Sequence, residues 1–308
     1  MNAYQKLSQL ADQVTSDVIT QLAQGKVVWQ KPWSSYGLPK NYRSGRHYEG
    51  FNAFYLNYIT EKNNFTAPYF LTFKQAQEIG GHIRKGEKGT PVIYWKACEE
   101  KAGERAEEGN DRHGRTFVPF VWTVFNIGQI EGVDFALPAA MECTELQVIE
   151  ACQRVVDNYP LPRPQIRHGG YRAYYETARD RVQLPELKNF ISPKAYHATL
   201  FHELIHSTGH PDRLNRFTEE KEAGRFGDAN YSKEELIAEM GASFLSAFTG
   251  INEEVPENSI AYLQGWISRF SEDKTMIIYA GTKAFKAASY ILGLKAGTNQ
   301  EALPAASA

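Results

Sequence analysis

Residues 202–206 read His-Glu-Leu-Ile-His, and this run constrains the fold more than any other part of the chain. Two histidines four apart share a face only on an α-helix, where side chains at i and i+4 lie one above the other. On such a helix His202 and His206 can present two imidazole nitrogens to one tetrahedral metal ion, and Glu203 stands beside the position left for water. The flanking residues agree. Ser192 is a good N-cap, Pro193 suits the first turn and Gly209 suits a C-terminal cap, so a helix is expected over 192–208 with the motif in its last turns.

A catalytic zinc takes three protein ligands and leaves one position open. Three residues compete for the third place. His210 is nearest, but in a continued helix it would sit ~12 Å along the axis from His202. Asp212 occupies the place that a histidine takes in the metzincin pattern. Glu239, on a helix expected over 232–249, is preferred. In that helix Ser232 and Glu235 have the spacing of a capping box, which gives Glu235 a local task. Glu239 lies between Leu236, Ile237, Ala238 and Met240, Ala242, Phe244, where a buried carboxylate is costly unless it is paired or bound to metal. Such a centre suits peptide hydrolysis: the ion polarises a water and a carbonyl, Glu203 takes and passes on the proton, and Tyr231 or Tyr262 is placed to steady the oxyanion. Imidazole and carboxylate donors suit Zn2+, and other divalent ions also fit. A hairpin is expected over 171–184, its polar tip near Arg179 and Asp180, and it could offer an edge strand to an extended peptide.

The first third of the chain has a different chemistry. The net charge of −2 over 308 residues conceals a split: residues 1–98 hold 12 Lys+Arg and 6 Asp+Glu, residues 99–115 hold 4 and 6, and residues 116–308 hold 18 and 24. Between Val18 and Tyr48 there is no acidic residue, while Lys26, Lys31, Lys40, Arg43 and Arg46 alternate with Trp29, Trp33, Tyr36, Tyr42 and Tyr48. Aromatic faces stack on unpaired bases and basic side chains follow phosphates, so this stretch suits single-stranded nucleic acid. Most aromatics of a small domain belong to its core, so only some can be contacts. The best candidates are Trp33, Tyr36, Lys40, Tyr42, Arg43 and Arg46, joined by Arg84, Lys85 and Lys88 on a glycine-punctuated turn.

The length exceeds what one core usually fills, and two domains are expected. The first covers 1–135 and the second 143–297, with a linker at 136–142 and a flexible tail at 298–308. Helices are expected over 7–22 (with Gly25 as cap), 52–62 and 72–80, and strands over 91–96 and 117–126 flank an exposed charged loop, 99–115. A new helix begins at Thr144, and two more fall between Asn258 and Leu292. The fold class is α+β: an α+β N-terminal domain and a mainly helical C-terminal domain with a small antiparallel sheet. No window approaches the ~18 apolar residues that span a bilayer, and Met1 to Leu10 lacks the pattern of a secretory signal, so a cytoplasmic protein without a membrane partner is expected. Cys98, Cys143 and Cys152 lack metal-binding or disulfide spacing and read as reduced thiols.

Larger blocks carry a resemblance. Trp29-Gln-Lys-Pro-Trp33, Asn41-Tyr-Arg-Ser-Gly-Arg46, Gly50-Phe-Asn52, residues 73–76, Gly86-Glu-Lys-Gly89 and Val124-Phe-Asn126 resemble the N-terminal domain of ArdC-type antirestriction proteins, which also occurs in plasmid primases. His202-Glu-Leu-Ile-His-Ser-Thr-Gly-His210, Arg213-Leu214 and Glu234-Glu-Leu-Ile-Ala-Glu239 resemble the zincin-like metallopeptidase domain of the same family. The resemblance implies a protein of conjugative plasmids or similar elements that binds single-stranded DNA and protects incoming DNA from host restriction. It also implies metal ligation by His202, His206 and Glu239 with Glu203 as base. Two other readings compete: a cytoplasmic metallopeptidase whose N-terminal domain recognises a protein substrate, and a single-strand-binding module with a vestigial metal site.

Overall fold

A computed structural model describes residues 2–29, 36–99, 115–138, 143–219, 229–251 and 260–294. The chain opens with α1 (Ala3–Ala23), capped by Asn2 and Gln5 in a reciprocal box. Its apolar stripe Leu10, Val14, Val18 and Leu22 is buried, as the 3.6-residue period requires. The short strand β1 (Lys40–Asn41), helix α2 (Phe51–Lys62), strand β2 (Tyr69–Thr72) and helix α3 (Phe73–Glu78) follow. Thr72 and Gln75 form the expected capping box. After β3 (His82–Ile83), β4 (Thr90–Glu99) and β5 (Arg115–Asn126) pair antiparallel as a long ribbon, and β6 (Ile130–Glu131) pairs with β3. The main sheet has the order β1-β2-β5-β4. The interior of the 99–115 loop, part of the 136–142 linker and the tail from 295 lie outside the described residues.

The second half begins with α4 (Glu145–Asp157), whose N-cap Thr144 is the expected one. Strands β7 (Gln165–His168), β8 (Tyr174–Glu176) and β9 (Arg181–Leu184) form a sheet of order β7-β9-β8. β8 and β9 are the predicted hairpin, turned at Asp180 with φ 45°. β7 adds to it in parallel, so this sheet is mixed where the sequence suggested an antiparallel one. Then come α5 (Pro193–Ser207), α6 (Arg216–Glu219), α7 (Ala229–Thr249), α8 (Ile260–Glu272) and α9 (Met276–Ile291). Together these elements make an α+β fold.

Two local expectations need correction. Gly209 does not end α5 in a left-handed conformation: Thr208 is the C-cap, and its hydroxyl donates to the Ile205 carbonyl at 2.7 Å. The glycine is there because a Cβ would lie 2.5 Å from the Phe217 ring. Ser232 is not an N-cap either, since α7 starts at Ala229 and Ser232 is buried inside it. The capping task assigned to Glu235 therefore does not exist.

One buried cluster joins both halves. Leu10, Val14, Val18 and Trp29 share it with Phe51 and Tyr55 from α2, Leu204 and Ile205 from α5, Leu236 and Phe244 from α7, and Ala280 and Ala284 from α9. Trp29 is 2% exposed and meets Trp266 and Phe270 of α8 edge-on, with ring centroids 5.6 and 5.7 Å away. Among the described residues no helix is long and apolar enough to cross a membrane.

Candidate functional site

The site is built where α5 crosses α7. Gly241 makes the close approach possible, because a Cβ there would fall 2.7 Å from Ile205. α5 carries His202 and His206 with ring centroids 4.7 Å apart and Nε2 atoms 3.1 Å apart. α7 brings Glu235 over them: one carboxylate oxygen lies 3.6 Å from His202 Nε2 and the other 3.6 Å from His206 Nε2. These three donors lie within 4.8 Å of one another, and among the described residues no other group of this kind is found.

The donor set fits a divalent ion on chemical grounds. Glu234 can only accept at its carboxylate, so His206 Nδ1 donates to it (3.2 Å) and the Nε2 lone pair is left facing His202 and Glu235. Metal-binding histidines are commonly oriented by such a carboxylate. Glu234 is held in turn by Arg216, 1% exposed, whose Nε and NH2 reach its two oxygens at 3.0 and 2.6 Å. The same guanidinium donates to Thr208 Oγ1 at 2.7 Å and to the Ile205 carbonyl at 3.1 Å. Burial would raise the Glu234 carboxyl, but His206 and Arg216 outweigh it and hold it below the usual range. Burial pulls His206 down, and the carboxylates of Glu234, Glu235 and Glu203 override that and raise it.

Glu203 is 7% exposed on the same helix. Burial raises its carboxyl above the ordinary value, while His202 and His206 pull it down. Strand β8 packs against α5, so the edge strand of the small sheet lies beside the helix that carries the site. The tip of that hairpin is pinned to the end of α5 by Arg213, which donates to the Ser207 carbonyl at 2.7 Å and, through NH1, to Asp180 at 3.0 Å.

None of the three candidates for third ligand is in the group of donors that closes on the imidazole pair. Glu239, one turn beyond Glu235, is not in the donor group: its Oε2 accepts from Trp29 Nε1 and from the Tyr262 hydroxyl, each at 2.6 Å. Burial still raises its carboxyl, against those two hydrogen bonds. Asp212 is exposed, and its N–H donates to His210 Nδ1 at 3.2 Å, so these two close a turn of their own. Tyr262 is spent on Glu239, and the side chain of Tyr231 lies outside the described residues. The sequence reading missed Glu234, Arg216 and Arg213. Arg213 and Glu234 stand in the sequence within the blocks that carry the family resemblance, without a role attached to either.

The proposed nucleic-acid contacts are dispersed. Trp33 lies outside the described residues. Tyr36 and Tyr42 meet Tyr69 edge-on at 6.5 and 6.0 Å, and Tyr42 meets Phe135 at 4.9 Å, so both rings pack against a buried cluster. Lys40 is half-buried on β1, Arg43 is paired with Glu78, and Arg46 is exposed. Arg84, Lys85 and Lys88 are exposed on the turn before β4, with Arg84 paired to Glu87 at 2.9 Å.

A helix carrying two imidazoles one turn apart, closed by a carboxylate from a second helix behind a small sheet, defines a zincin-like metallopeptidase unit. The family model for zincin-like metallopeptidases matches residues 161–283, and that for the N-terminal domain of anti-restriction factor ArdC matches residues 8–125. The crystal structure of antirestriction ArdC protein from plasmid R388 in its Mn(II)-bound form is 30% identical, with a TM-score of 0.69 over 92% of this chain and 97% of that one. Its metal-free form gives 0.68. The uncharacterised protein y4eC of Sinorhizobium fredii is 30% identical over 91% of this chain and 90% of its own length. DNA primase TraC of Escherichia coli is 36% identical over 94% of this chain, which spans only 28% of that primase. The chain belongs to the ArdC antirestriction family.

Proposed function

We propose that this protein binds single-stranded DNA through its N-terminal half, protects incoming DNA of a conjugative plasmid or similar element from host restriction, and carries a metal-dependent peptidase centre in its second half. The observation that carries the peptidase reading is the convergence of His202, His206 and Glu235 on one point beside a buried Glu203. His202 and His206 would hold the ion, with Glu235 as third ligand in place of Glu239. Zinc is the ion assigned here, because two imidazoles and a carboxylate suit it. The Mn(II)-bound form of the R388 relative supports a divalent ion at a centre of this kind. When bound, the ion supplies Lewis-acid polarisation of a peptide carbonyl and an adjacent water.

The protein's own residues do the rest. Glu203, its carboxyl raised by burial, is suited to accept a proton from the attacking water and return it to the leaving nitrogen. Glu234 and Arg216 fix the orientation of His206. β8 lies at the edge of its sheet and packs against α5, which suits a substrate bound as an added strand.

Elemental analysis of the purified protein beside its Glu235→Ala and Glu239→Ala variants tests the ligand set. Glu235→Ala should lose most of the metal and Glu239→Ala should keep it; the opposite result refutes the assignment. A peptide-library assay with and without chelator tests the peptidase, and affinity for a short oligonucleotide tests the DNA half.

A further inference from the structure

Of the aromatics between Trp29 and Tyr48, Trp29 is buried and Tyr36, Tyr42 and Tyr48 are half-buried, while other rings of the N-terminal half are exposed. Tyr94 is 60%, Trp122 57% and Phe120 39% exposed, all on the ribbon of β4 and β5. Register puts them on one face: Tyr94 is directly opposite Phe120, Trp122 is opposite Val92, and Lys96 is opposite Val118. Soluble proteins seldom leave three large rings together in water without a use for them. Phe120 and Trp122, two apart on one strand, are ~6.6 Å apart along it. That is about twice the 3.4 Å rise of stacked bases, which leaves room for one base between neighbouring rings.

Charge identifies the occupant. Residues 88–98 and 115–130 contain Lys88, Lys96 and Arg115 and no Asp or Glu. The exposed Lys85 and Lys88 lead into the base of β4, and Lys88 comes two residues before Thr90, the first residue of that strand. A strand of nucleic acid lying along the ribbon thus meets rings first and then cations, the pairing that single-strand binders use.

We infer that the exposed aromatic face of the β4–β5 ribbon, formed by Tyr94, Phe120 and Trp122, is the surface on which bases of single-stranded nucleic acid stack, with Lys85 and Lys88 taking the phosphates. This rests on the single-strand reading above and moves its centre away from Tyr36 and Tyr42.

The test is anisotropy of a labelled oligothymidylate titrated with the full-length protein at fixed low salt. Each of Tyr94→Ala, Phe120→Ala and Trp122→Ala should weaken binding about fivefold or more, as expected for loss of one stacking ring. Trp122→Phe should restore most of the loss, and thermal melts should be unchanged for these exposed positions. Wild-type affinity in the triple alanine variant, with loss in Arg43→Ala/Arg46→Ala, would overturn the ribbon and spare the single-strand reading. No binding by the wild type would remove that reading itself. A concentration-dependent dimer in sedimentation that the triple variant abolishes would assign the face to a second copy, and overturns the inference as well.

Discussion

The α5–α7 crossing and the β4–β5 ribbon violate the ordinary distribution of polarity in opposite ways. At the crossing, ionisable groups are buried: Arg216 at 1% exposure, Glu203 at 7%, with Glu234 tied to two partners. On the ribbon, large apolar rings are in water. Burying charge is tolerated only where every group has a partner, so the crossing is rigid and each side chain has one place. Exposing rings costs little order but forfeits burial, so the ribbon gains most when something covers it. The first arrangement suits chemistry, which needs fixed geometry. The second suits a partner of many sequences, which needs a tolerant surface.

The largest expected effect breaks the crossing at its chemistry. Glu203→Gln should lower peptide hydrolysis by about 10²- to 10⁴-fold while leaving metal content and oligothymidylate affinity as in wild type. A fall in DNA affinity in that variant would show that the two regions are not independent. Next in size is Arg216→Met, which strands the Glu234 carboxylate in the interior; unfolding by urea should show a loss of ~3–5 kcal/mol. A loss below 1 kcal/mol would mean that the carboxylate finds water and that the crossing is less closed than described.

Glu234→Gln keeps the shape and removes the charge behind His206. Metal affinity should drop about 10- to 100-fold with little change in melting temperature, and the ribbon's DNA affinity should not move. Gly209→Ala tests packing alone: the added methyl meets Phe217 and should destabilise by ~1–3 kcal/mol.

The smallest effect is a pH dependence at the hairpin anchor. Burial would raise the Asp180 carboxyl, but its bonds to Arg213 and Tyr175 prevail and lower it from 3.8. A folded-state value below the unfolded one means stabilisation that is complete above about pH 3.8 and lost as pH falls through the folded value. Asp180→Asn should flatten the acid limb of the stability curve in that window. An unchanged acid limb would assign the anchor's strength to Arg213's other contacts.

How much of this was legible in the sequence differs between the regions. The helix that carries His202, Glu203 and His206 was readable because spacing, N-cap and proline all report on local backbone, and local backbone is what periodicity encodes. The helix carrying Glu235 and Glu239 was readable too, but not which of the two lies beside the imidazole pair. Glu235 and Glu239 are one turn apart on the same face; the start of α7 at Ala229 takes Glu235 out of a first-turn capping position and its carboxylate faces His202 and His206, while Glu239 accepts from Trp29 and Tyr262. Trp29 is 210 residues away in sequence, a distance over which no local pattern speaks.

The aromatics make the same point for the other half. Their number and basic setting could be counted, but an aromatic in a core and one on a platform have identical local signatures, since strand alternation says which residues share a face and not whether that face is covered. So Tyr36 and Tyr42 are half-buried against a core cluster and Tyr94 and Trp122 stand in water. What the amino-acid order determined by itself was the longer helices, the two ribbon strands, the β8–β9 hairpin and the two imidazoles on one helical face, all consequences of short-range geometry; the short strands β1, β2, β3, β6 and β7 and the short helix α6 were not readable. What only tertiary structure decided was which carboxylate lies beside the imidazole pair, which guanidinium holds the glutamate behind His206, and which rings meet water, because burial is a property of elements brought together from distant parts of the chain.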